Sequence, residues 1–147
     1  PNDCLVNGGK VAGILLESLQ ANSDAVIVGC GMNITAKPEA MDYPTASLAE
    51  FCPSVTVQAV FDGYRSNLDK WVSVWRSGAG FDAIRTEWLA RAQCENKRLY
   101  VRNGSSRIAG ICRGLQEDGA LLLELEEGGM TAIYAGDVVA HSGEAGA

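Results

Sequence analysis

The feature that most limits the architecture is a change of rhythm after Ala92. Before it, Val57, Phe61, Tyr64, Leu68, Trp71 and Trp75 recur at alternating spacings of four and three, one apolar stripe of a 3.6-residue period. The spacing predicts a helix, N-capped at Ser54 and ended by Ser77-Gly78, with Gly63 costing it about 1 kcal/mol against alanine. A second helix is expected to carry Phe81, Ile84, Trp88 and Ala92 on one face. Aromatic residues at this spacing read as packed core rather than as a ligand cage. After Ala92 come short strands at Arg98–Arg102, Arg107–Leu115, Ala120–Leu125, Met130–Tyr134 and Val138–Ala140. Asn103-Gly104, Asp118-Gly119 and Gly128-Gly129 punctuate them as turns. Five short strands without an intervening helix predict a small antiparallel barrel over residues 94–142, with 143–147 a low-complexity tail. The fold class is α+β followed by an all-β module.

The first third reads differently. Cys4-Leu5-Val6 and Val11–Leu16 flank Asn7-Gly8-Gly9, a strong hairpin signal because asparagine and glycine both tolerate positive φ. Ala25–Val28 is a third strand, continuous rather than alternating, and so expected to be buried on both faces. It runs into Gly29-Cys30-Gly31-Met32-Asn33, where two glycines are expected to let the backbone turn closely around something. Residues 34–46 carry Pro38 and Pro44 and read as a loop.

Charge and cysteine usage narrow the function classes. With 18 acidic against 12 basic residues, a net charge of -6 and no lysine/arginine run, the chain lacks the electrostatic footprint of a nucleic-acid binder. Five irregularly spaced cysteines (Cys4, Cys30, Cys52, Cys94, Cys112) argue against a disulfide framework and a zinc site, and suit free thiols in a reducing compartment. No apolar run approaches the roughly 20 residues that span a membrane, and no signal peptide is recognisable, so the expected location is cytoplasmic. The chain opens at Pro1 without an initiator methionine and reads as a fragment whose upstream part is absent.

Chemistry can be sought at three places. Asn2-Asp3 precede the first strand and Lys10 follows the hairpin turn, so the hairpin can bring a carboxylate near an ammonium, with Gly13 leaving room for a ligand. On local pattern alone, a solvated lysine is the stronger reading. Gly29-Cys30-Gly31 lacks the third glycine of the dinucleotide fingerprint. Asn33 offers the donor and acceptor that an adenine edge needs, but a turn asparagine fits as well. No residues suggest a protein-held metal site.

Taken together, Pro1-Asn2-Asp3, Gly9-Lys10-Val11-Ala12-Gly13-Ile14-Leu15-Leu16-Glu17 and Val26-Ile27-Val28-Gly29-Cys30-Gly31-Met32-Asn33 resemble the biotin protein ligase family. Gly110-Ile111, Gly114-Leu115, Asp118–Leu123 and Gly136-Asp137-Val138 are similar to its C-terminal SH3-like barrel. The resemblance implies that residues 1–93 are the C-terminal part of a class II synthetase-like catalytic domain, a partial mixed or antiparallel sheet with packed helices. It implies formation of biotinyl-adenylate from biotin and ATP, with Mg2+ accompanying the ATP, then transfer of biotin to a lysine of a biotin carboxyl carrier protein. Lys10 matches the essential lysine, which neutralises charge where carboxylate and phosphate meet. Asp3 would orient the reacting groups or promote deprotonation of the carrier lysine. Gly13 would lie against biotin, as Lys10 would. Asn2, Gly29, Gly31 and Asn33 would lie against ATP or the adenylate, Asn33 reading adenine, with Asp137 and His141 approaching the nucleotide from the barrel. His141 stands where some members have arginine, and a lone terminal-strand histidine is otherwise usually structural or exposed.

The family's Gly/Arg-rich segment and the tryptophan before the proline are not in this sequence, so the fragment alone is expected to be inactive. A lipoate ligase of the same fold is the alternative enzyme, and a non-catalytic protein-binding adaptor the alternative of another class. Neither a membrane nor a nucleic-acid partner is expected for this fragment; a homodimer stays open.

Overall fold

The structure is a computed structural model that describes residues 2–18, 25–103 and 106–139, with the backbone alone at Asn103, Ser106, Asp137 and Val139. It divides into two compact units, Pro1–Asp69 and Lys70–Ala147. His141, the turn at Gly104 and the tail from 143 lie outside the described residues.

In the first unit β1 (Asp3–Val6), β2 (Gly9–Ser18) and β3 (Val26–Met32) form an antiparallel sheet in the order β1-β2-β3. The expected hairpin is present. Asn7 (φ 50°) and Gly8 (φ 82°) make a two-residue turn closed by the pair Val6 and Gly9, and both residues accept the positive φ that such turns demand. The ladder then slips by one residue. Cys4 faces Ala12 but Leu5 faces Lys10, so Val11 is an extra, bulged residue of β2.

The structure corrects two expectations about the third strand. Gly29–Met32 is not a turn: β3 runs on to Met32, with Gly29 opposite Leu15 and Gly31 opposite Gly13. Nor is Val26-Ile27-Val28 buried, for these residues keep 61%, 46% and 41% of their surface exposed. A continuous apolar run suits two-sided burial, but β3 is the edge of a three-stranded sheet and is not covered on both faces.

The loop after β3 returns to the sheet. Lys10 and Thr45 form a parallel bridge, followed by one 3₁₀ turn at Leu48–Glu50. The Glu50 carboxylate there accepts from the Ser47 backbone N–H at 2.9 Å and from its hydroxyl at 3.2 Å. Among the described residues of this unit, Gly9, Val11, Ala12, Ala46 and Ser47 are buried.

Helix α1 (Val57–Trp75) matches the predicted stripe. Its cap is Thr56 rather than Ser54, since the Ala59 N–H donates to Thr56 Oγ1 at 3.2 Å. The stripe is not the expected core: no α1 residue is buried, and Phe61 and Trp75 are half-exposed. What its N-terminal half does line, with Val57, Val60, Phe61 and Tyr64, is an open apolar groove against Val28, Cys30 and Met32 of β3.

The second unit holds α2 (Phe81–Leu89) and β4 (Arg98–Asn103), β5 (Ser106–Leu115), β6 (Leu121–Leu125), β7 (Met130–Ile133) and β8 (Asp137–Val139). All five strands predicted from the sequence are found, antiparallel in the order β7-β6-β5-β4-β8. Leu99, Val101, Cys112 and Leu123 form the core, with Cys94, Ile108, Leu121 and Ile133 packed against it. A bulge at Arg113-Gly114 bends β5, and Leu89 of α2 meets Gly114. The Arg85 guanidinium donates to the Leu115 carbonyl at 2.9 Å and fixes α2 to the same strand.

Candidate functional site

The site grows from the bulge at Val11. In a regular strand Lys10 and Gly13, three apart, would point to opposite faces of the sheet. The extra residue changes the parity and brings the Lys10 side chain to the face of Gly13. A Cβ on Gly13 would lie 3.4 Å from Lys10 Cε, 3.6 Å from Nζ and 3.7 Å from Asp3 Oδ1. Asp3, Gly13 and Gly31 face one another across the three strands, so all point to that same side. Lys10 Nζ stands 2.8 Å from Asp3 Oδ1. A Cβ on Gly31 would meet nothing within 4 Å, so the surface beside the ion pair is bare and open. The α1 groove lies on the opposite face, lined by the even-numbered residues Val28, Cys30 and Met32.

The electrostatics favour a permanent cation. The hydrogen bond to Asp3 raises the Lys10 pKa above its ordinary value; partial burial opposes this, and the charges of Asp3 and Tyr43 reinforce it. The Tyr43 ring lies 5.2 Å from Nζ, in cation–π range. At neutral pH Lys10 is thus a fixed positive charge and not a base.

The backbone of Lys10 is held as firmly as its ammonium. Its N–H donates to the Pro44 carbonyl at 2.9 Å, and its carbonyl accepts from the Ala46 N–H at 3.0 Å. Gly9 permits this approach, since a Cβ there would come within 2.8 Å of Ala46 Cβ. Asn33 closes the arrangement: its Nδ2 donates to the carbonyls of Lys10 and Ala46, both at 3.1 Å. Two carbonyl acceptors fix which end of the amide is nitrogen and leave Oδ1 as the group available to a base.

Of the residues singled out from the sequence, the structure brings Asp3, Lys10, Gly13, Gly31 and Asn33 together. Asn2 is next to them, exposed, with its carbonyl accepting from the Ile14 N–H at 2.8 Å. Gly29 is two residues along β3 on the same face, opposite Leu15. Asp137 belongs to the second unit, where its backbone pairs with Arg102. Sequence reasoning missed Tyr43 and the Pro44–Ser47 return. The only signal for the return was Ser47-x-x-Glu50, a capping-box spacing inside what otherwise read as loop.

A three-stranded antiparallel sheet followed by a helix-braced five-stranded sheet is the C-terminal fold of biotin protein ligases. A crystal structure of biotin protein ligase from Aquifex aeolicus superposes with a TM-score of 0.82 at 22% identity, covering 96% of this chain and 63% of that one. A structure of the Aquifex aeolicus protein in complex with biotin and ATP gives 0.78 at 23% identity, covering 95% and 59%. Residues 101–140 match the family model described as biotin protein ligase C terminal domain.

Among curated proteins, the chain is 36% identical over 131 residues to a biotin–[acetyl-CoA-carboxylase] ligase of Paracoccus denitrificans, covering 84% of this chain and 54% of the relative. It is 32% identical over 142 residues to the ligase of the same name in Mycobacterium tuberculosis, covering 95% and 51%. The chain is thus similar to biotin protein ligases over most of its length, and residues 101–140 match that family's C-terminal domain. It spans about half the length of these curated relatives.

Proposed function

We propose that the polypeptide carrying this chain is an ATP-dependent biotin protein ligase acting on a biotin carboxyl carrier protein, in the cytoplasm. The observation that carries the reading is the Lys10–Asp3 pair at 2.8 Å beside the bare glycine face. In the first step a biotin carboxylate oxygen attacks the ATP α-phosphorus and the α–β bridging oxygen leaves with pyrophosphate. Negative charge concentrates where carboxylate and phosphate meet, and the Lys10 ammonium is the fixed charge that stabilises it. In the second step the neutral amine of the carrier lysine attacks the acyl carbon of the mixed anhydride and AMP leaves. Asp3 holds Lys10 in place and, once the adenylate phosphate shares the ammonium, is free to accept a proton from the incoming amine.

Gly13 would lie against biotin. Asn2, Gly29 and Gly31 would lie against the adenylate, with Asn33 Oδ1 as acceptor for the adenine amino group. The resemblance also assigns Asp137 and His141 to the nucleotide. Mg2+ would come with the ATP phosphates. We further propose a domain boundary at 93/94, with 1–93 belonging to the catalytic domain, 94–142 to the barrel and 143–147 to a tail.

The test is pyrophosphate release from ATP by the full-length polypeptide, with biotin and lipoate offered separately. Release that requires biotin supports the reading. Release with lipoate alone, or with neither, refutes it.

A further inference from the structure

We propose that Asn33 is a positioning residue for Lys10, a role separate from the adenine contact of its Oδ1. The inference rests on Lys10 being the charge-bearing group of the proposed reaction. Every backbone and amide-nitrogen group of Asn33 is engaged by the elements that hold the lysine. Its N–H donates to the carbonyl of the bulged Val11 at 2.7 Å, and its own carbonyl accepts from the Leu48 N–H at 2.9 Å. Its Nδ2 bridges the Lys10 and Ala46 carbonyls.

These four bonds join three pieces of chain: the bulge that turns Lys10 to the glycine face, the end of β3, and the return of the loop. The return also carries Tyr43 over the ammonium, one residue before the Pro44 carbonyl that receives the Lys10 N–H. With both amide hydrogens used inside the protein, Asn33 lacks the donor half of a two-point adenine contact. What it fixes is the backbone from which the Lys10 side chain departs. A shift of about 1 Å at a charged group can cost about a hundredfold in rate without a matching loss of binding.

The experiment compares wild-type, Asn33→Ala and Gly9→Ala forms of the full-length polypeptide in biotin-dependent pyrophosphate release. Gly9→Ala disturbs the same arrangement without touching Asn33, because its Cβ would press on Ala46. It serves if Asn33→Ala does not fold. For both variants kcat should fall at least about tenfold, and for Gly9→Ala, which leaves the adenine acceptor in place, KM for ATP should stay within about threefold. No loss of kcat in either variant, or a loss in Gly9→Ala carried mainly by KM for ATP, overturns the inference.

A second readout is independent of turnover: the Lys10 amine is titrated by NMR after reductive methylation. Asn33→Ala should lower its pKa by loosening the contact with Asp3, and an unchanged value overturns the inference. If wild-type protein releases no pyrophosphate, the proposed function fails, and the titration alone still decides the role of Asn33.

Discussion

Replacing Lys10 by methionine separates the charge from the rest of the side chain. The aliphatic bulk and all backbone bonds of residue 10 remain, and only the ammonium is lost. Its contribution to stability is small: Asp3 keeps 55% of its side chain exposed, and a pair that open contributes at most about 1 kcal/mol. Its contribution to the barrier of the proposed adenylation is larger. A unit charge about 4 Å from the developing negative charge, at an effective dielectric constant of about 20, is worth about 4 kcal/mol, or roughly a thousandfold in rate. The assay is single-turnover pyrophosphate release by the full-length polypeptide at saturating ATP and biotin, alongside a thermal melt. A rate loss below about tenfold with an unchanged melting curve would refute the electrostatic role.

Three further outcomes are expected. Asp3→Asn removes the main cause of the raised Lys10 pKa, so the amine should titrate closer to its ordinary 10.5. Because that pKa lies above the unfolded value, the associated stability is fully present below about pH 10.5 and disappears as pH rises through the folded pKa, and the wild-type advantage in pH-dependent melts should follow that course. Leu123→Ala empties a position with 0% exposure at the centre of the five-stranded sheet and should cost about 2–5 kcal/mol in urea unfolding; a loss under about 1 kcal/mol would mean the site collapses to fill the space. Alkylation of native protein near pH 7.5 should label exposed Cys4 and Cys52 first, leaving Cys112 protected and Cys94 slow, since burial and the neighbouring Cys112 push its thiol up to about 11. Early labelling of Cys112, read by peptide mass, would contradict its burial.

The second half of the chain was legible because its punctuation is local. Asp118-Gly119 and Gly128-Gly129 are turns whose glycines take positive φ, and the strands between them follow from spacing. The Asn7-Gly8 hairpin was legible for the same reason. The glycines of Gly29-Cys30-Gly31 misled, because glycine marks a bare surface as well as a bend, and here both stay in the ladder. The α1 stripe gave the helix but not its burial, which depends on what lies opposite. Asp3, Lys10 and Gly13 were legible as neighbours through the hairpin. Tyr43 and the Asn33 bridge were not, because they depend on where a loop lands, more than ten residues from its partner in sequence.

The bulge at Val11 makes the hairpin sensitive to counting rather than to composition. Exchanging Val11 for another small apolar residue leaves Lys10 on the glycine face, whereas pairing the strands in regular register with Val11 kept would turn the lysine to the side lined by Val28, Cys30 and Met32. The ammonium would then stand over apolar surface with Asp3 on the far side of the sheet. Deletion of Val11 would instead leave Lys10 and Gly13 two apart, the ordinary spacing of one face, and would remove the carbonyl that receives the Asn33 N–H.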